Sequence, residues 1–263
     1  MREDYSYSGD NLYYKHEISR NMQKDAYSMH SHNMYELLYF VDGDATHVIE
    51  DRKYKLKRGD LILIRPSKYH FIQIDSECSY ERYDILFSDQ TKNLVCLDML
   101  KDIPEIINLV EYSMATEIIK KTDFYFKHFS GADFENVLTS LLNELFYLLT
   151  VTPATEKTDA PKVTSATISK ALSYINTNLS TITDVDEVAK SCFVSESYLF
   201  RLFKKELKQT PAKYLNSKRL LLAERLINEG QKPTAVYEAC GFSDYTTFYR
   251  NYRAFFGKPP SKQ

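Results

Sequence analysis

Two histidines one residue apart, His30 and His32, precede a glutamate, Glu36, and a third histidine follows at His70. Side chains alternate along an extended chain, so positions 30, 32 and 36 fall on one face. Three imidazoles and a carboxylate on one face can form a polar pocket for a small organic molecule or a donor set for a transition metal. The organic-ligand pocket is the favoured reading, with Tyr39 and Tyr83 as aromatic walls. No metal is expected, and His30, His32, Glu36 and His70 are the residues that would hold one. A different chemistry stands near the other end. Arg201 and Arg250 each lie in a segment rich in Lys, Arg and aromatic residues. A guanidinium presents two parallel donors that match guanine O6 and N7, a fork no other side chain carries.

The elements that must position these groups differ between the halves. From Tyr5 to about Ser88 the chain reads as short β segments cut by turns: Tyr35–Phe40, Thr46–Ile49, Leu61–Ile64, Phe71–Ile74 and Tyr80–Phe87. Asp42-Gly43-Asp44 and Lys57-Arg58-Gly59-Asp60 carry turn signals, and this spacing predicts a sandwich or barrel. Beyond Asp89 the apolar period becomes helical, over Leu97–Lys121 and Gly131–Val151. In the second of these the apolar stripe is wide. Leu138, Leu141, Leu142 and Leu145 are therefore expected to reach a second chain, although a helix buried within its own chain would show the same pattern.

Charge separates the halves further. Residues 1–159 hold 18 Lys/Arg against 27 Asp/Glu, and residues 160–263 hold 16 against 9, which returns the chain's net −2. A basic terminal segment is a footprint of nucleic-acid binding, though a solvated basic face looks similar. Thr150–Ser165 reads TVTPATEKTDAPKVTS, and its two prolines exclude one continuous helix there. The predicted organisation is 1–150 for sensing and dimerisation, 151–165 as linker, and 166–263 for DNA binding. No apolar run approaches 18 residues, and the first residues lack an apolar signal core, so neither a membrane span nor secretion is expected. The four cysteines, Cys78, Cys96, Cys192 and Cys240, form no C-x-x-C pair and read as small apolar residues in a cytoplasmic protein. With no P-loop, nucleophile elbow or zincin pattern, no enzyme activity and no cofactor are expected.

The basic part contains an internal repeat. Val188-Ala189-x-x-Cys192-Phe193-Val194-Ser195 recurs 48 residues later as Val236-Tyr237-x-x-Cys240-Gly241-Phe242-Ser243. Leu199-Phe200-Arg201-Leu202-Phe203-Lys204 recurs 49 residues later as Phe248-Tyr249-Arg250-Asn251-Tyr252-Arg253. Each copy predicts a short helix, a turn, a Ser or Asp cap and a basic amphipathic helix, the pattern of a helix-turn-helix. Pro211–Asn228 predicts one long helix between the copies, able to hold two reading helices about 34 Å apart, one turn of DNA. Ser195, Ser197, Phe200, Arg201, Lys204 and Lys205 are candidate DNA contacts in the first copy. Ser243, Tyr245, Thr246, Tyr249, Arg250 and Arg253 are those of the second. The Lys204-Lys205 run suits phosphates, the arginines base edges.

Two family resemblances follow. The His-x-His, Glu36 and Gly43 spacing resembles the first motif of the cupin barrels; Gly59, Pro66 and His70 match their second motif in part, with one residue fewer between Pro and His. From about Ser169 to Ser261 the chain resembles the DNA-binding domain of AraC-type transcription regulators. The carrying residues are Ser195-x-x-Tyr198-Leu199-x-Arg201-x-Phe203-Lys204-Lys205, Arg219-x-x-x-Ala223-x-x-Leu226, Gly241-Phe242-Ser243-Asp244-x-x-x-Phe248-x-Arg250 and Gly257-x-x-Pro260. Lys208 stands where a glycine usually ends the first recognition helix, and Tyr237 where a small residue is usual. Together the resemblances imply an α+β chain: a cupin-like β-barrel with trailing helices, then an all-α domain of two helix-turn-helix units. They imply a cytoplasmic regulator, activator or repressor, binding double-stranded promoter DNA under a small-molecule effector, with sugars among the candidates. A homodimer and, for an activator, contact with RNA polymerase are further implied partners. The alternative is a metal-dependent cupin enzyme fused to a DNA-binding domain.

Overall fold

The computed structural model describes residues 2–24, 27, 30–95, 97–152 and 165–261. Most of residues 1–160 form one compact unit, and residues 161–263 supply the bulk of a second.

The first unit is built on two sheets. Strands β1 (Arg2–Ser8), β2 (Leu12–Met22), β3 (Tyr35–Asp42), β6 (Asp60–Ile64), β8 (Cys78–Phe87) and β9 (Ile106–Asn108) form a six-stranded sheet ordered β1-β2-β8-β3-β6-β9. Strands β4 (Ala45–Ile49), β5 (Arg52–Lys55) and β7 (His70–Ile74) form a three-stranded sheet ordered β5-β4-β7. A core of Leu38, Phe40, Ile62, Ile64 and Tyr80 from the larger sheet with Ala45, Ile49, Ile72 and Ile74 from the smaller lies between them. Gly43 closes the β3–β4 turn at φ 135°, a conformation closed to most side chains. The other face of the larger sheet carries Leu37, Tyr39, Tyr83 and Ile85 and is covered by helices α1 (Ser113–His128) and α2 (Gly131–Val151).

Two sequence expectations change here. The helix expected over Leu97–Lys121 is a 3-10 turn at Leu97–Lys101, the edge strand β9 and only then α1. Pro104 lacks a backbone donor, and the β-branched pair Ile106-Ile107 instead pairs with β6, Ile107 opposite Leu61. The leucines expected at a two-chain contact, Leu138, Leu141, Leu142 and Leu145, are between 0% and 9% exposed and pack within their own chain. The wide stripe of α2 is taken up by α1 and the sheet, so these four residues offer no surface to a second chain. On the same helix Tyr147 and Val151 are the exposed large apolar residues. The expected linker at 151–165 lies, over 153–164, outside the described residues, as does Cys96; Cys78, Cys192 and Cys240 are free thiols.

The second unit holds α3 (Ala166–Thr177), α4 (Val185–Ser191), α5 (Glu196–Leu207), α6 (Pro211–Asn228), α7 (Pro233–Ala239) and α8 (Tyr245–Phe256). Caps delimit the helices. Ser165, Asp184, Ser195, Thr210 and Asp244 each accept a backbone N–H from the first turn. Lys208 at φ 56° and Gly257 at φ 72° end α5 and α8 in the left-handed conformation, so a lysine fills the terminating role more often held by glycine. Among the described residues no helix is long and apolar enough to cross a membrane.

Candidate functional site

Helix α5 divides its residues cleanly. Leu199, Phe203 and Leu207 are buried at helical spacing, while Ser197, Phe200, Arg201, Lys204 and Lys205 are exposed. Ser195 stands at the N-cap and accepts the Tyr198 N–H at 3.3 Å. Its side chain fixes where the helix begins, and with it which residues the first turn presents. The Arg201 guanidinium carbon lies 5.7 Å from the centre of the Tyr198 ring, which steadies it on the exposed face.

Helix α8 repeats the arrangement. Phe248 and Tyr252 are buried, and the Tyr252 hydroxyl donates to Glu224 of α6. Thr246, Tyr249, Arg250 and Arg253 are exposed at the positions that Ser197, Phe200, Arg201 and Lys204 hold in α5. Asp244 caps the helix, accepting the Thr247 N–H at 2.7 Å, and leaves exposed Ser243 just outside it. Tyr245 departs from the sequence expectation of a free DNA contact. It is half-buried, 5.8 Å from the rings of both Tyr237 and Phe248. The large Tyr237, where a small residue is usual, is thereby accommodated edge-on against Tyr245.

Before each of these helices the chain turns through a left-handed residue, Phe193 at φ 60° and Gly241 at φ 85°. A Cβ on Gly241 would meet the Arg219 guanidinium at 2.8 Å and the Leu179 carbonyl at 2.9 Å. Arg219, buried on α6, donates to the carbonyls of Leu179 and Ile182. It ties the approach to α4 to the long helix.

In the first unit, strand parity sorts the expected pocket residues. Glu36 lies on the face of the larger sheet turned away from α1 and α2, as do Leu38 and Phe40. Tyr39 and Tyr83, expected as walls of the same pocket, sit opposite each other in register and belong to the helix-covered core. An odd spacing from Glu36 puts Tyr39 on the other side of the strand. Tyr83 there donates to Asp123 of α1 at 2.9 Å and stacks on His16, with ring centres 3.8 Å apart.

Glu36 Oε2 lies 3.0 Å from His70 Nε2, both side chains buried, and His70 Nδ1 lies 2.9 Å from the Lys68 carbonyl. Burial pushes the His70 pKa down, but the Glu36 carboxylate and the Lys68 carbonyl outweigh it and hold it above the ordinary value. The shortened loop between Pro66 and His70 thus leaves His70 in strand β7, facing Glu36. Glu36 and His70 belong to the first unit, whereas His30 and His32 are grouped with the second. A carbonyl on the far nitrogen of His70 is the partner that orients a metal-binding imidazole, so the Glu36–His70 pair suits a divalent transition ion as well as a polar organic group.

Beside Glu36 the same face carries charges that the sequence reading missed. Glu17 and Asp84 are buried and Arg82 half-buried, with Arg82 Nε 2.7 Å from Asp84 Oδ2 and Arg82 Nη2 3.4 Å from Glu17 Oε2. The guanidinium lies 4.5 Å from the Tyr27 ring centre and 5.6 Å from that of Tyr80. Burial pushes the Asp84 carboxyl up to about 7, against the pull of Arg82, with Glu36 and Glu17 adding to the rise. The signal was available: Arg82 and Asp84 alternate with Tyr83 and Ile85 along one strand, which places both charges on one face.

Comparison with known proteins agrees with this architecture. The family model of the AraC-like ligand binding domain matches residues 16–100, and that of a helix-turn-helix domain matches residues 188–263. The probable transcriptional regulator LumQ of Photobacterium leiognathi is 37% identical over 90 residues, 34% of this chain and 36% of LumQ. The raffinose operon transcriptional regulatory protein RafR of Pediococcus pentosaceus is 25% identical over 267 residues, 98% of this chain and 87% of RafR. Among solved structures, an AraC-type transcriptional regulator from Chromobacterium violaceum is 32% identical over 36% of this chain and 85% of its own, with a TM-score of 0.34. The two matched models together take in more than half of the chain. The chain belongs to the AraC family of DNA-binding transcription regulators and carries a ligand-binding domain in its N-terminal half.

Proposed function

We propose that the protein controls transcription by reading promoter DNA with α5 and α8 while a small effector, held around Glu36 and His70, sets its activity. The observation that carries this is the repeat itself. Two helices of one unit expose Ser or Thr, an aromatic, Arg and then Lys or Arg at equivalent positions. Arg201 and Arg250 are the base readers; Lys204, Lys205 and Arg253 hold phosphates. The division at residues 1–150, 151–165 and 166–263 is the working one for the sensing part, linker and reading part. The name of RafR links that relative to a sugar operon, which makes sugars the first effector class to test here. The acting form is a homodimer, as implied for the family, and an activating mode brings RNA polymerase in as partner. The test is recovery of genomic fragments bound by the purified full-length chain, followed by binding to the recovered site with and without a panel of sugars. Retention of no preferred fragment overturns the proposal. Binding that no compound alters removes the effector.

A second reading rests on the buried Glu36–His70 pair, 3.0 Å apart. There the occupant of the N-terminal domain is a divalent transition metal, and the chain carries a metal-dependent activity of the cupin kind. Elemental analysis of purified protein separates the two. Near-stoichiometric metal that is lost in Glu36→Gln favours this reading, and its absence after growth in metal-supplemented medium removes it.

A further inference from the structure

We propose that Phe200 and Tyr249 read thymine C5-methyl groups, so that each recognition helix selects a thymine next to the guanine taken by its arginine. This rests on the reading of α5 and α8 as the DNA-contacting helices and specifies what they recognise. Phe200 is 46% exposed and Tyr249 37% exposed, while the core aromatics of the same helices, Phe203, Phe248 and Tyr252, are fully buried. The two exposed rings occupy equivalent positions 49 residues apart, each directly before an exposed arginine. Neither ring is needed by the core, since Leu199 and Phe203 fill that face of α5 and Phe248 and Tyr252 that of α8.

The Phe200 side chain has no hydrogen-bonding atom. Base edges in the major groove present donors, acceptors and one apolar group, the thymine methyl, so a phenyl ring entering the groove gains specificity only there. Tyr249 offers the same apolar ring face, with Tyr245 alongside at 6.2 Å between ring centres. Consecutive helix residues point about 100° apart and rise 1.5 Å, so an aromatic and the following arginine reach neighbouring base pairs. The two helices therefore carry the same pairing, a thymine and a guanine in adjacent pairs, once in each half of the site.

The test is equilibrium binding of the full-length chain, at one fixed salt concentration, to a site recovered from genomic DNA. Each thymine is replaced in turn by deoxyuridine, which removes only the methyl. One position in each half should lose about three- to fivefold in affinity, the scale of one buried methyl. With Phe200→Ala, thymine and deoxyuridine should bind equally at the first position while the second keeps its difference, and Tyr249→Ala should do the reverse. Deoxyuridine tolerated within twofold everywhere, with the guanine preference intact, overturns the methyl reading and leaves the recognition helices standing. Loss of the guanine preference of the wild-type protein as well overturns the helix assignment on which it rests.

Discussion

Arg201 and Arg250 hold the same place in two copies of one structure, each exposed, each one residue after an exposed aromatic and two before a buried one, Phe203 or Tyr252. That equivalence distinguishes them from arginines that decorate a helix surface, where an isolated exposed ion pair contributes about 0–1 kcal/mol. Loss of either side chain should cost about 1–3 kcal/mol on the specific site and relax preference at a few base pairs only. The two sets of affected positions should lie about 10 base pairs apart, because α6 joins the units. A five-base-pair insertion between them should abolish simultaneous engagement. Binding assays on the native site, its single-base variants and the insertion check this; equal weakening of all sequences by Arg250→Ala would make α8 a backbone clamp.

Lys204, Lys205 and Arg253 should behave differently. All three are exposed toward the C-terminal ends of α5 and α8, beyond the first turns proposed to meet base edges. Replacing any one with Ala should weaken binding to specific and random DNA alike and flatten the salt dependence by about one unit of slope. Fluorescence titrations across a range of salt report the slope directly, and a slope identical to wild type would place the residue off the interface.

The N-terminal unit has a polar joint between sheet and helix at Asp123. It accepts the Tyr14 hydroxyl at 2.5 Å and the Tyr83 hydroxyl at 2.9 Å, and lies 2.8 Å from His16 Nδ1. Burial pushes the Asp123 carboxyl up, but hydrogen bonds from His16 and Tyr14, the His16 ring and Tyr83 together hold it below the usual carboxylate range. A carboxyl with a lowered folded pKa stabilises above its unfolded value, near about 3.9, and loses that contribution as pH falls through the folded one. Asp123→Asn should cost about 1–3 kcal/mol at neutral pH, since it weakens the partners of two buried tyrosines. The difference from wild type in urea unfolding should shrink below about pH 4. A constant difference down to acid would show that Asp123 acts only through shape.

Much of this was legible in the residues. The repeat located both α5 and α8 because its periodicity is helical, its caps are Ser195 and Asp244, and its basic residues fall outside the apolar stripe. Glu36 and His70 were both named from motif spacing and face each other, but His30 and His32 precede β3, so the strand parity expected of them does not hold. What escaped depended on partners distant in sequence. Tyr39 and Tyr83 are aromatic and near the motif, yet only the cover of α1 and α2 decides that their face of the sheet is a core. The leucines of α2 fill a stripe wide enough for two contacts, and nothing in one helix says that α1 and the sheet supply both. Ile106-Ile107 reads as helix until β6 offers an open edge.

The repeat fills its two left-handed turns with different residues, Phe193 and Gly241. Gly241 at φ 85° faces the Arg219 guanidinium and the Leu179 carbonyl, both closer than 3.0 Å to any added Cβ. Gly241→Ala must bear the left-handed penalty of about 1–2 kcal/mol and also displace an arginine that donates to two carbonyls. The total should reach about 2–4 kcal/mol of lost stability, the range of strain at a special backbone position joined to a broken buried network. Phe193 occupies the matching turn at φ 60° and is 88% exposed, so its ring contributes little to any core. Phe193→Gly removes the same left-handed penalty and gives back part of it as unfolded-chain entropy, leaving a change between zero and about 1 kcal/mol in favour of the variant. Urea unfolding of both variants measures the asymmetry. Equal destabilisation by the two substitutions would mean that the Phe193 ring, 4.3 Å from the Lys170 ammonium, contributes more than its exposure suggests.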